Sequence, residues 1–179
     1  GSTGAAYSLA SRLSDYNLPA TEDNIKAIED ALGKLENIGD ISKEQTKRRM
    51  TFGGVKAITD AMEKEDKNFC FVYLGHYCNW EWIASLPYWC PDDVLCGQIY
   101  HPLRNKATDQ LFLRLRNRFG GESIAMKETL RRIIELKRAK QKCIIGFISD
   151  QSPKWNSIHH WCDFLNHDTP VFIGTEKIG

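Results

Sequence analysis

Phe69-Cys70-Phe71-Val72-Tyr73-Leu74, followed by Gly75-His76-Tyr77-Cys78-Asn79-Trp80-Glu81, is the stretch on which the fold turns. Six apolar residues run without alternation between charged positions and a glycine. Such a run suits a strand buried on both faces of a parallel sheet. Val94 to Tyr100 and Cys143 to Ser149 read as further strands, and Pro170 to Ile173 as the start of a fourth. Helical spacing of apolar residues separates them. Ile25, Ile28, Leu32 and Leu35 follow an N-cap at Thr21, and Gly39 ends that run. Ser42 to Met50, Val55 to Glu63, a stretch from Asn79 that Pro87 stops, Asn105 to Phe119 and Lys127 to Lys140 complete the set. Leu111, Phe112, Leu115 and Phe119 form one inward face, as do Leu130, Ile133, Ile134 and Leu136 on the next helix. This order predicts an α/β fold with a mostly parallel central sheet flanked by helices. Ligands of such sheets sit beyond the carboxyl ends of the strands.

The 179 residues carry an ordinary globular balance of apolar and charged side chains, which excludes disordered, collagen-like and coiled-coil arrays. A net charge of +1 argues against a nucleic-acid binder. The charge is unevenly spread. Residues 15–66 hold 8 basic and 12 acidic side chains; residues 101–142 hold 12 basic and 4 acidic, a net +8. An anionic partner is expected at the second region. Cys70, Cys78, Cys90, Cys96, Cys143 and Cys162 form no C-x-x-C pair and read as buried thiols of a reducing compartment. Neither a membrane span nor a signal peptide is legible. Residues 1–40 read as an N-terminal helical segment of unclear origin, and residues 41–179 as the main domain, expected to be truncated at its C-terminus.

Two strands end in polar residues at the expected functional edge. His76 leaves the first, with Glu81 about one helical turn further on. Histidine is the side chain best suited to take a proton near neutral pH. A carboxylate on its other nitrogen fixes the tautomer and stabilises the imidazolium. A helix from Asn79 would point free N–H groups back toward His76 as an anion hole. The alternative is a helix-capping His76 and a surface Glu81. Asp150-Gln151 ends another strand; Asp150 is either functional or a turn-forming residue. No G-x-S-x-G elbow, phosphate-binding glycine loop or G-x-G-x-x-G fingerprint is present.

Three blocks carry a family resemblance. Gly75-His76-Tyr77-Cys78-Asn79-Trp80-Glu81 resembles the first motif of the bacterial lipid A biosynthesis (lauroyl/myristoyl) acyltransferases, which share His-x-x-x-x-Asp/Glu with the glycerolipid acyltransferases. Tyr100-His101-Pro102-Leu103-Arg104-Asn105, with Arg114, Arg116 and Arg118, resembles the family's Tyr-x-Pro, Asn and Arg segment, and Asp150-Gln151 its third motif. The likeness runs from about Ile41 to Gly179, in a style similar to Bacteroidetes members. Cys78 departs from the pattern, standing where the family usually has Gly. The resemblance implies a glycerolipid-acyltransferase-like fold and transfer of an acyl chain from an acyl-carrier-protein or acyl-CoA thioester to a lipid A precursor hydroxyl. Under it His76 is the base and Glu81 its orienting carboxylate. Asn79, Tyr100, Asn105, Arg116, Arg118, Asp150 and Gln151 bind substrate. It implies neither metal nor bound cofactor. The partners are acyl carrier protein, a membrane glycolipid or phospholipid acceptor and an anionic membrane surface. The place is the cytoplasmic face of the bacterial inner membrane, reached peripherally or through an anchor outside this chain. Lysophospholipid or aminolipid acylation by the same mechanism, and a non-catalytic lipid-binding relative, stay open.

The remaining candidates are weaker. Arg116 or Arg118 can pair bidentately with a phosphate, or simply line a solvated helix face. Asn105 and Asp109, one turn apart, either orient Arg104 or shape the site, or serve as an N-cap and an exposed carboxylate. His159, His160, Cys162 and His167 have zinc-compatible types but no second cysteine pair, and no metal is expected. Trp155, Trp161 and Phe164, like Trp80, Trp82, Tyr88 and Trp89, either wall an acyl chain or pack in the core.

Overall fold

Four strands pair in parallel in the order β1-β4-β2-β3: β1 Phe69–Leu74, β2 Val94–Tyr100, β3 Glu122–Ala125 and β4 Lys142–Ile148. This computed structural model describes residue 19, residues 21–33 and residues 41–178. Leu35 and Gly39 of the first expected helix lie outside the described residues. The helices are α1 Glu22–Gly33, α2 Lys43–Arg49, α3 Val55–Lys64, α4 Lys106–Asn117, α5 Thr129–Arg138 and α6 Gly174–Ile178. The fold is the mostly parallel α/β layer with flanking helices read from the sequence.

Period-two alternation sorts the sheet into two faces. Cys143, Ile145 and Phe147 of β4 pack under Ile133 and Leu136 of α5. Ile144 of the same strand packs with Met62 of α3 and Val94 of β2. β4 is therefore the strand buried on both sides, with Cys143, Ile144 and Ile145 at 0–1% exposure. β1, expected in that role, is an edge strand, and its Tyr73 is exposed. β3 was not legible, because only Ile124 of its four residues is a buried hydrophobic. The expected fourth strand from Pro170 does not join the sheet. Instead β5 Trp161–Phe164 and β6 His167–Pro170 form a separate antiparallel hairpin. On α5, Leu130 and Ile134 face outward rather than into the core.

Local signals explain the helix starts. Ser42 Oγ accepts from Gln45 N, and Gln45 Oε1 accepts from Ser42 N, a capping box. Asn105 Oδ1 accepts from Ala107 N at 3.0 Å and Thr108 N at 3.1 Å, opening α4. α1 packs on α4 through a face that buries Ile25 and Ile28, and Glu22 pairs with Arg114.

Candidate active site

The strand register decides the site. Leu74 pairs with Ile148, and Ser149 N still donates to Leu74 O at 3.3 Å. Two residues further along both chains, His76 and Asp150 emerge side by side at the carboxyl edge. Tyr77 N donates to Gly75 O at 2.8 Å, so the backbone turns tightly over His76 and throws its side chain outward. One Asp150 carboxylate then meets two donors. Oδ2 accepts the His76 backbone N–H at 2.7 Å, and Oδ1 lies 2.6 Å from His76 Nδ1. The backbone N–H first, and the imidazole second, hold the Asp150 carboxyl below the usual carboxylate range. A neutral imidazole that donates Nδ1–H to this carboxylate carries its lone pair on Nε2. Trp80 packs edge-on against the His76 ring at 4.8 Å. Gly75 makes the approach possible, since a Cβ there would stand 3.2 Å from Asp150 Oδ2.

The carboxylate on His76 Nδ1 is thus Asp150, not the expected Glu81. Glu81 instead accepts from Arg116 in two places, Nε at 3.2 Å and Nη2 at 2.8 Å, with both side chains more than four-fifths buried. The reason is the backbone between residues 76 and 81. Cys78 takes a left-handed φ of 51°, and the expected α-helix from Asn79 is a 3-10 helix over Trp80–Trp89. Residues 76–79 thus lie outside any helix, and Glu81, in the first turn of the 3-10 segment, meets Arg116 of α4 instead of His76. Asn79 makes no side-chain cap bond.

His76 stands at a cavity of about 1210 Å³. Val72, Leu74, Ile144 and Ile148 of the sheet face Ile83, Leu86 and Pro87 of the 3-10 segment across it. Asn79, Glu81, Tyr100, Arg116 and Gln151 also line it. Burial, and then the Asp109 charge, raise the Tyr100 hydroxyl pKa. Asn105 and Arg118 do not line the cavity. Asn105 is the fully buried cap of α4, and Arg118 lies over the Phe119 ring at 4.5 Å. Asp109 is buried rather than exposed, its Oδ1 accepting from Leu103 N at 2.8 Å. The phosphate role considered for Arg116 meets a guanidinium already engaged by Glu81. Acids outside the segment offset part of its +8, through Arg114–Glu22, Arg116–Glu81 and Lys142–Glu63, and leave a basic excess. His159 and His160 precede the β5–β6 hairpin, which carries Cys162 and His167. Among the described residues, no three potential ligands cluster to hold a metal. Cys78 is exposed, not buried, and Trp155 and Phe164 are exposed as well.

Residues 22–170 match the family model for bacterial lipid A biosynthesis acyltransferases. The chain belongs to that family. It is accordingly an acyltransferase. No curated protein matches it. The family match begins at residue 22, ahead of the boundary that the sequence places at residue 41, so α1 lies within it. No helix among the described residues of this lipid A acyltransferase is long and apolar enough to cross a membrane.

Proposed function

We propose that this acyltransferase moves a fatty acyl chain from an acyl-carrier-protein thioester to a hydroxyl of a lipid A precursor, with His76 as general base. The observation that carries the reading is the double contact of Asp150 with His76, a residue that lines a largely apolar cavity. Nε2 takes the proton of the acceptor hydroxyl, and that oxygen bonds to the thioester carbonyl carbon. The tetrahedral species carries its negative charge on the former carbonyl oxygen. Asn79, which also lines the cavity, is assigned here as the side-chain donor to it. The C–S bond then breaks, and the thiol leaves with the proton held by His76. Asp150 keeps the Nδ1–H tautomer and stabilises the imidazolium while it lasts. Glu81 and Arg116 brace the mouth. The donor is acidic and the acceptor anionic, so the basic excess of residues 101–142 supports the choice of partners, and the reaction sits at the cytoplasmic face of the inner membrane.

The test is acyl transfer from a panel of acyl-carrier-protein thioesters to a lipid A precursor and, in parallel, to a lysophospholipid. Wild-type full chain is compared with His76→Ala. Transfer to the lipid A precursor, lost in the variant, is the expected result. Transfer to the lysophospholipid alone would replace the acceptor, and an active His76→Ala would remove the base.

A further inference from the structure

We infer that Gly146 sets the acyl-chain length this enzyme accepts, by holding open the cavity at one row of the sheet; the inference rests on the cavity being the acyl site. Three cross-strand rows face the cavity. Nearest the His76 edge is Leu74–Ile148; next comes Val72–Gly146–Gln98; deepest is Ile144–Cys96. Only the middle row has a gap at the central strand.

Nothing inside the protein demands a glycine there. Its φ is outside the left-handed region, so any L-residue fits the backbone. A Cβ would meet Leu74 Cδ1 at 3.5 Å and Gly97 O at 3.8 Å, ordinary van der Waals contact. Glycine in the interior of a buried strand weakens it and commonly marks a close approach by a ligand. The side chain missing from position 146 would point into the cavity, between Val72 and Gln98. Gly97 also lines the cavity, but a Cβ there would point to the other face of the sheet and meet Ile124 Cδ1 at 3.3 Å and Ile145 Cγ1 at 3.5 Å. A side chain at 146 would therefore act on the Val72–Gln98 row, whereas one at 97 would not.

Depth converts to carbons. Gly146 lies four residues below Asp150 on the same chain, about 13 Å at roughly 3.3 Å per residue. An extended hydrocarbon advances about 1.25 Å per carbon, from bonds of about 1.5 Å. A chain whose carbonyl sits at His76 reaches Gly146 at about the tenth carbon. The Ile144–Cys96 row, two residues deeper, lies near the sixteenth.

The experiment measures binding of free fatty acids of eight to sixteen carbons, below their micelle concentrations, by titration calorimetry. It uses the full chain as wild type, Gly146→Ala, Gly146→Val and Val72→Ala, with thermal melts confirming that each is folded. Affinity should climb about fourfold per carbon while methylenes are being buried. Wild type should climb to about sixteen carbons and Gly146→Val should level off near ten. Their difference for a fourteen-carbon acid should be on the order of a hundredfold. Gly146→Ala should fall between them. Val72→Ala widens the same row and should not shorten the climb, and it reads the row even if the bulky variant fails to fold. A common plateau in wild type and the Gly146 variants, or wild-type affinity indifferent to length, would overturn the inference. Wild-type transfer is run alongside. Length-dependent binding without any transfer would sink the proposed function and leave the Gly146 assignment standing.

Discussion

Replacing Asp150 by Asn changes one atom and removes one acceptor. In the wild type two carboxylate oxygens serve two donors, the His76 backbone N–H at 2.7 Å and Nδ1–H at 2.6 Å. A carboxamide offers one oxygen and one NH2. If the oxygen stays on the backbone N–H, the NH2 faces Nδ1 and forces the proton onto Nε2, where the lone pair is needed. If the oxygen turns to Nδ1, the backbone N–H and the NH2 face each other and the His76 turn loosens. Positioned acid–base catalysis contributes about 10²–10⁴-fold. Asp150 is 41% exposed, so water replaces part of what the carboxylate supplied, and the lower end applies. The expected result is a kcat lower by about a hundredfold, with the KM for the acyl thioester within about threefold, read by thiol release in the presence of lipid A precursor. Gly75→Ala approaches the same contact from the other side. Its Cβ would lie 3.2 Å from Asp150 Oδ2 and displace the carboxylate without removing it, lowering kcat by about tenfold. A kcat for Asp150→Asn within threefold of wild type, with His76→Ala inactive, would refute the reasoning.

Other perturbations read the same geometry. Cys78→Gly should stabilise the protein by about 0.5–1 kcal/mol, raising Tm by about 2–3 °C in calorimetry, because glycine adopts the left-handed φ at less cost and the exposed thiol packs against little. Glu81→Gln removes the charge opposite Arg116 and one of its two acceptor oxygens and should cost about 2–3 kcal/mol in urea unfolding, whereas Glu81→Leu with Arg116→Met should recover most of it. The depressed Asp150 pKa means that its contribution to stability is complete above the ordinary carboxylate range and is lost as pH falls through the lowered value. Wild-type and Asp150→Asn stabilities, measured by denaturant across pH, should therefore separate above about pH 4 and converge below it. Curves that stay parallel at all pH values would contradict this.

The strands with continuous apolar runs were legible because burial on the sheet selects Val, Ile, Leu and Phe, and β1 and β2 begin and end where the sequence places them. Strand order was not. The same apolar run suits a central strand and one covered at an edge, so β1 and β4 could not be ranked from composition. β3 escaped because Glu122 and Ser123 serve other partners, Arg132 and Asn117, and leave Ile124 alone to signal a strand. The site was legible residue by residue but not pair by pair. His76 and Asp150 were both placed at strand ends from sequence, 74 positions apart, yet their contact depends on the β1–β4 register, which no local pattern encodes. The His-x-x-x-x-Glu spacing points to Glu81, which reaches His76 only if the turn between them folds back, and that turn is not encoded by spacing. The signal against that was Cys78, a non-glycine at a turn position, followed by a Trp- and Pro-containing run that settles into a 3-10 helix.

The most direct test of the account is the protonation pattern of the His76 ring, read from its nitrogen chemical shifts in selectively labelled full-length protein near neutral pH. The structure predicts a proton on Nδ1 and a bare Nε2, with that pattern lost in Asp150→Asn. A proton on Nε2 in the wild type, or a pattern indifferent to Asp150, would contradict the claim that Asp150 prepares His76 as the base.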